Sequence, residues 1–277
     1  MAGAMRGGWI TLAAGFAAAM LAIAPARATA ATERVAMDAL AREKMAAVML
    51  VRTKARKYAA ALANGRLMQA YLSAATQTEA ERLKSRIIAT LKTLQNRYGI
   101  EAFRIIWRNG DVFASIGAAQ PPMPRRRQEL AQGLAQTSGA VSMLLGTDSL
   151  TFVTPVSRDG ESELVLSVEQ HLSAYERVLT HGIPGHMKVM IVDANGRIVT
   201  DTSGAARSGD TARIAGMTID DLRTRLSAGA AEGAGFLLHE GHRLEVSYQS
   251  VDGWTVIALQ AAPDRTPCLR GSSTSCR

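Results

Sequence analysis

At 277 residues, with 47% apolar and 20% charged residues, the chain is long enough for one large domain or two small ones, and this composition excludes intrinsic disorder as its general state. The formal charge of +8 is scattered through helix-like segments and tightens only at residues 125–127. Aromatic residues make up 5% of the chain, no basic stripe interleaved with stacking rings is present, and nucleic acid is not an expected partner.

Arg6 is followed by the apolar run WITLAAGFAAAMLAIA, then Pro25 and the small-residue sequence Ala28-Thr29-Ala30. That order is the n-region, h-region and cleavage pattern of a secretory signal, and it predicts a signal peptide over residues 1–30 and a periplasmic or secreted mature protein. The alternative is an uncleaved inner-membrane anchor over residues 9–26, because the run approaches the ~18 apolar residues that span a bilayer. Pro25 and the A-x-A sequence favour cleavage. Loss of Arg6 and Arg27 leaves 30 of the 32 basic residues against 24 acids, so the mature chain stays basic.

Residues 31–98 read as a helical stalk. Val48, Val51, Ala55, Tyr58 and Leu62 recur every three or four positions, which lines one helix face. Thr78 with Glu81 gives a capping box, after which Leu83, Ile87, Leu91, Leu94 and Tyr98 line a second helix that stops at Gly99. A break or kink is expected around Gly65 or residues 74–78.

Beyond Gly99 the period shortens to that of strands. FRIIW, the turn RNGD, VFASI, a Pro-rich loop, the helix RRRQELAQGLAQ, AVSMLL, LTFVTPV and ELVLSV predict two strands, a helix and three more strands. Asn109-Gly110 and Asp159-Gly160 are hairpin dipeptides whose backbones accept positive φ. A helical linker, EQHLSAYERVLTH, is closed by Gly182 and Pro184. The order then repeats as MKVMIV, DANG, RIVT, the helix TIDDLRTRLSAG, FLLH, HRLEVSYQ and WTVIALQ, with four clear strands if FLLH and HRLEVSYQ count as one hairpin unit. Two such units predict an α+β fold: a long N-terminal helical region followed by two PAS-like antiparallel-sheet modules. In MKVMIVDANGRIVT, Asp193 is expected to open a turn, with Asn195-Gly196 supplying positive φ, and is not expected to bind a ligand.

Taken in order, the export segment, a long helix ending LKTLQNRYGI, FRIIWRNGDVFASI, LTFVTPVSRDGESELVLSV, a helix, VMIVDANGRIVT and LEVSYQSVDGWTVIAL resemble the double Cache family over residues 33–261. Members of that family are extracytoplasmic sensor modules of bacterial chemoreceptors and histidine kinases. Residue patterns and resemblance together divide the chain into a signal peptide (1–30), a stalk (31–98), a membrane-distal PAS-like module (99–168), a linker helix (169–185), a second PAS-like module (186–262) and a polar, aperiodic tail (263–277) expected to be disordered. The resemblance implies a small-molecule ligand in the distal module. A receptor of this kind would enter a second transmembrane helix soon after WTVIAL, whereas Pro263 begins a polar tail. The expectation is a sensor without its own transmembrane output, acting through a membrane-bound signalling partner or as a homodimer through the long helix. The alternatives are a periplasmic structural or interaction protein that binds no ligand, and the remnant of a truncated receptor. The Tyr, Arg, Trp and Asp pattern by which some members hold an amino acid is not matched, so an amino-acid ligand is not expected.

Chemistry-bearing motifs are few. Cys268 and Cys276 both lie in the tail and fit no zinc or redox pattern, though they could pair in an oxidising compartment. HEGH at residues 239–242 lies in a hairpin, without the one-face i, i+4 geometry of a helical zinc motif, so no metal is expected. No nucleophile elbow, phosphate loop or dinucleotide fingerprint occurs, which leaves no candidate catalytic residue and no cofactor. The binding candidates belong to the first module. Trp107 could form a stacking wall, Arg125 and Arg126 could fork onto an anionic ligand, and Thr151 and Thr154 could supply hydroxyls. The competing roles are a sheet-core aromatic, a solvated helix start and ordinary strand residues. Tyr248 and Trp254 read as core of the second module.

Overall fold

In a computed structural model of the chain, the structure describes residues 8–98, 100–117, 123–137, 140–203, 208–226, 232–240 and 242–261, the side chains of residues 8–34 and of residue 239 excepted. The side-chain pattern of the expected signal peptide, and the tail with Cys268 and Cys276, lie outside that set. Among the described residues no helix is long and apolar enough to cross a membrane.

Helix α1 runs from Gly8 to Ala63. Its buried line is Met37, Ala41, Met45, Val48, Ala55, Ala59 and Ala63, spaced by helical turns. The line predicted from large apolar residues shares Val48 and Ala55 with it, but Val51, Tyr58 and Leu62 are only half-buried. The difference follows from size, since alanine at 55, 59 and 63 lets the helix axis approach the sheets and puts bulkier neighbours at the rim. Both expected breaks occur. Gly65 separates α1 from α2 (Arg66–Leu72), and α3 (Gln77–Tyr98) follows. The first-turn amide of Glu79 donates to Thr76 Oγ1 at 3.2 Å, so the cap is Thr76, two residues before the expected Thr78. The sequence carries T-x-x-E twice, at 76 and at 78, and the first copy starts the helix.

The first sheet contains β1 (Ala102–Trp107), β2 (Val112–Gly117), β3 (Ser142–Leu145), β4 (Ser149–Arg158) and β5 (Glu161–His171), with α4 (Met123–Leu134) between β2 and β3. After α5 (Ser173–Thr180), the second contains β6 (Met187–Val192), β7 (Ile198–Asp201), β8 (Glu232–His239), β9 (His242–Val251) and β10 (Trp254–Ala261), with α6 (Ile219–Leu226) between β7 and β8. The strand orders are β2-β1-β5-β4-β3 and β7-β6-β10-β9-β8, the same topology twice. The fold is α+β, with two PAS-like antiparallel sheets behind a long helix. Two details differ from the sequence reading. The second sheet has five strands, because the glycine-containing segment before FLLH extends β8 and pairs with β9 from Glu232↔Gln249 to His239↔His242. Residues 169–171, read as linker, complete β5.

One face of each sheet packs on α1 in a single core. Phe103, Ile105, Phe152 and Leu166 come from the first sheet, and Val189, Ile191, Val256 and Ala258 from the second. At about 1.5–3 kcal/mol for each large side chain buried, this shared core holds both modules to one spine. Polar contacts add to it. Arg52 of α1 lies 4.9 Å over the Trp254 ring and donates to the Asp252 carbonyl at 3.2 Å. Ser247 donates to Asp38 at 2.6 Å, and the Lys44 ammonium donates to the His181 carbonyl. The opposite faces carry separate small cores, under α4 in the first module and α6 in the second.

Candidate site under α4

Strand alternation decides which side chains meet beneath α4. Val153 and Val165 pack there with Leu144, Leu130 and Leu134. The register Arg104↔Ser167, Val153↔Ser167 and Thr151↔Glu169 places those polar residues on the same face. Gly133 lets the helix lie directly on the sheet, since a Cβ there would stand 2.5 Å from Val165 Cγ1. One turn earlier, Glu129 is thereby driven fully out of solvent.

A buried carboxylate requires a partner, and Arg104 supplies it. The Arg104 Nη2 and Nε donate to the two Glu129 oxygens at 2.7 and 3.2 Å, while Nη1 donates to Glu169 Oε2 at 2.5 Å. Ser149 Oγ donates to the other Glu169 oxygen at 2.5 Å. Burial opposes the Arg104 charge, but the hydrogen bonds and field of Glu129 and then Glu169 outweigh it, so its pKa lies above the ordinary guanidinium value. Burial likewise opposes the Glu169 charge, yet the Ser149 hydrogen bond and Arg104 hold its carboxyl below the usual range. Arg125 caps the cluster. Its Nη2 donates to Thr151 Oγ1 at 3.1 Å, and its Nε stands 3.7 Å from Glu129. Two donor atoms here, Arg126 Nε and Ser167 Oγ, are buried without a hydrogen-bond partner. Among the described residues no cluster of His, Cys, Asp and Glu could hold a metal ion.

Of the five residues singled out in the sequence, Arg125 and Thr151 are brought together, with Arg126 beside them on α4. Trp107 and Thr154 lie on the other face of the sheet. Trp107 meets Tyr71 and Phe113, with ring centroids 6.1 and 6.0 Å away. Thr154 shares its face with the core residues Phe152 and Val156, and its buried hydroxyl has no partner. Sequence reasoning missed Arg104, Glu129, Glu169 and Ser149. The available signal was Arg104 itself, a charge at an alternating position inside the apolar strand FRIIW.

Two PAS-like modules of identical topology on one helical spine define the class of fold, and solved structures share it. The chain is similar to the ligand-binding domain of the Campylobacter jejuni chemoreceptor Tlp3 in complex with L-norvaline, with TM-score 0.65 and 12% identity over 87% of this chain and 95% of that one. The Tlp3 sensory domain with isoleucine bound gives 0.61 and 13%, over 85% and 95%. The ligand-binding domain of the Pseudomonas aeruginosa PAO1 chemoreceptor PctB in complex with L-Arg gives 0.54 and 14%, over 85% and 98%. The chain has the double Cache fold. No protein-family model matches it, and no curated protein matches it in sequence.

Proposed function

We propose that the chain is an extracytoplasmic sensor that binds a small molecule carrying a carboxylate or similar anion at the polar cluster under α4 and passes the change to a partner through α1. The supporting observation is the Arg104–Glu129–Glu169 cluster with the partly exposed Arg125 at its edge, a set of charge-assisted hydrogen bonds on the helix-covered face of the first sheet that a ligand anion can rearrange. A ligand anion competes with Glu129 for Arg125 and Arg104, and the difference in affinity between the packed and lifted positions of α4 sets the response. Because the reverse face of that sheet shares its core with α1 and the second module, a shift there reaches the spine. The structures of Tlp3 and PctB with amino acids bound favour a ligand of that size.

A second reading rests on the same cluster. Arg104 uses Nε, Nη1 and Nη2 on its own carboxylates, which suits a structural lock in an interaction protein. Thermal unfolding of the full chain against panels of carboxylates, amines and purines separates the two. The sensor requires a saturable rise in Tm with one class, abolished by Arg125→Gln. A flat response to every class, or one unchanged in Arg125→Gln, supports the lock.

A further inference from the structure

A recess lies on the other side of the first sheet, where the C-terminal part of α1, the end of α3 and α5 converge. Its volume is ≈ 490 Å³, within the ~300–1,000 Å³ typical of small-molecule sites. Ala55 and Ile100 form a buried apolar floor. Above it stand Lys54, Arg97 and Arg177, one cation from each of the three helices, and no carboxylate lines the recess. Among the described residues none of the three forms an ion pair, unlike Arg104, Arg197 and Arg223, which do.

The wall is aromatic. Tyr58 and Tyr98 lie with ring centroids 4.4 Å apart at 33°, and the Arg97 guanidinium is 5.5 Å from the Tyr98 centroid. Desolvation pushes the Tyr58 phenol above its ordinary value, so this side chain adds no negative charge. Three like charges converging on a concave apolar floor repel one another, and an anion relieves that repulsion. A ring-bearing anion suits both the aromatic wall and the cations better than a bare ion does.

We propose that this junction is a second ligand site, for small molecules that join a carboxylate to a flat apolar body. Since its walls come from α1, α3 and α5, an occupant ties the helical spine to the linker between the modules. The site shares no residue with the cluster under α4, and the proposal stands or falls independently of the sensor reading.

Benzoate titrated calorimetrically into the full chain is the test, with acetate as the anion that lacks a ring. The expected result is saturable 1:1 binding of benzoate, with acetate at least tenfold weaker. Arg97→Gln/Arg177→Gln should weaken benzoate at least tenfold, and Tyr58→Leu should weaken it without changing the charge. Arg82→Gln, at an exposed arginine of α3 that belongs to neither site, should leave it unchanged. Both Arg97 and Arg177 are exposed, so their removal leaves the core intact. Absence of saturable benzoate binding, undiminished binding in the double variant, or loss of binding in Arg82→Gln would each overturn the proposal.

Discussion

Arg104 and Glu129 are joined by two hydrogen bonds of 2.7 and 3.2 Å, although Arg104 is 2% and Glu129 0% exposed. A buried pair of this kind is weak evidence for net stability, but breaking it leaves an uncompensated charge. Glu129→Gln should therefore cost about 3–5 kcal/mol in urea unfolding, whereas Arg104→Met/Glu129→Leu should recover most of that loss.

Glu169 gives the same cluster a pH dependence. Its folded pKa lies below the unfolded value, so its contribution is complete above the ordinary carboxylate range and is lost as pH falls through the folded pKa. The expected outcome is that the wild type loses stability over that acid interval and Glu169→Gln loses less of it, compared by Tm as a function of pH.

The seating of α4 depends on Gly133. A methyl group there meets both Val165 Cγ atoms, at 2.5 and 2.7 Å, and Val153 Cγ1 at 3.0 Å. Gly133→Ala should cost about 1–3 kcal/mol by overpacking and should speed amide exchange along α4, while α6 keeps its wild-type rates.

Asp193 serves the second module's first hairpin. Buried at 6% exposure, it accepts from the amides of Asn195 and Arg197, both at 2.9 Å, and from the Arg197 guanidinium at 3.0 and 2.8 Å. Asp193→Ala should lower stability by about 1–3 kcal/mol, read from urea unfolding, and leave any ligand affinity of the first module unchanged.

What the sequence made legible was periodic. The switch from helical to strand spacing after Gly99 and its repetition after Pro184 carry the two modules, because register and turn chemistry are local. The DANG turn was readable in kind but not in detail, since Gly196 alone has positive φ there, at 73°, and Asn195 does not. At Asp159-Gly160 both residues do, at 51° and 88°. The site under α4 was only partly legible. Arg125 and Thr151 stand out as polar residues of the first module, but Glu129 is buried because Gly133 seats the helix, a tertiary consequence that no local pattern states. Trp107 and Thr154 are polar or amphipathic residues of the same strands, yet their parity differs from that of Arg104 and Thr151. Counting alternate positions from Phe103 and Phe152 puts both on the α1 side.

Hydrogen exchange across α4 tests the central claim most directly. Carboxylates, amines and purines would each be added to the full chain, and exchange would be followed in Met123–Leu134, Ser149–Arg158 and the second module. A sensor with its site under α4 requires at least one class to slow exchange in Met123–Leu134 in a saturable way, with Arg125→Gln removing the effect. If no class slows exchange there, or if protection is confined to β6–β10, the cluster under α4 is not the sensing site.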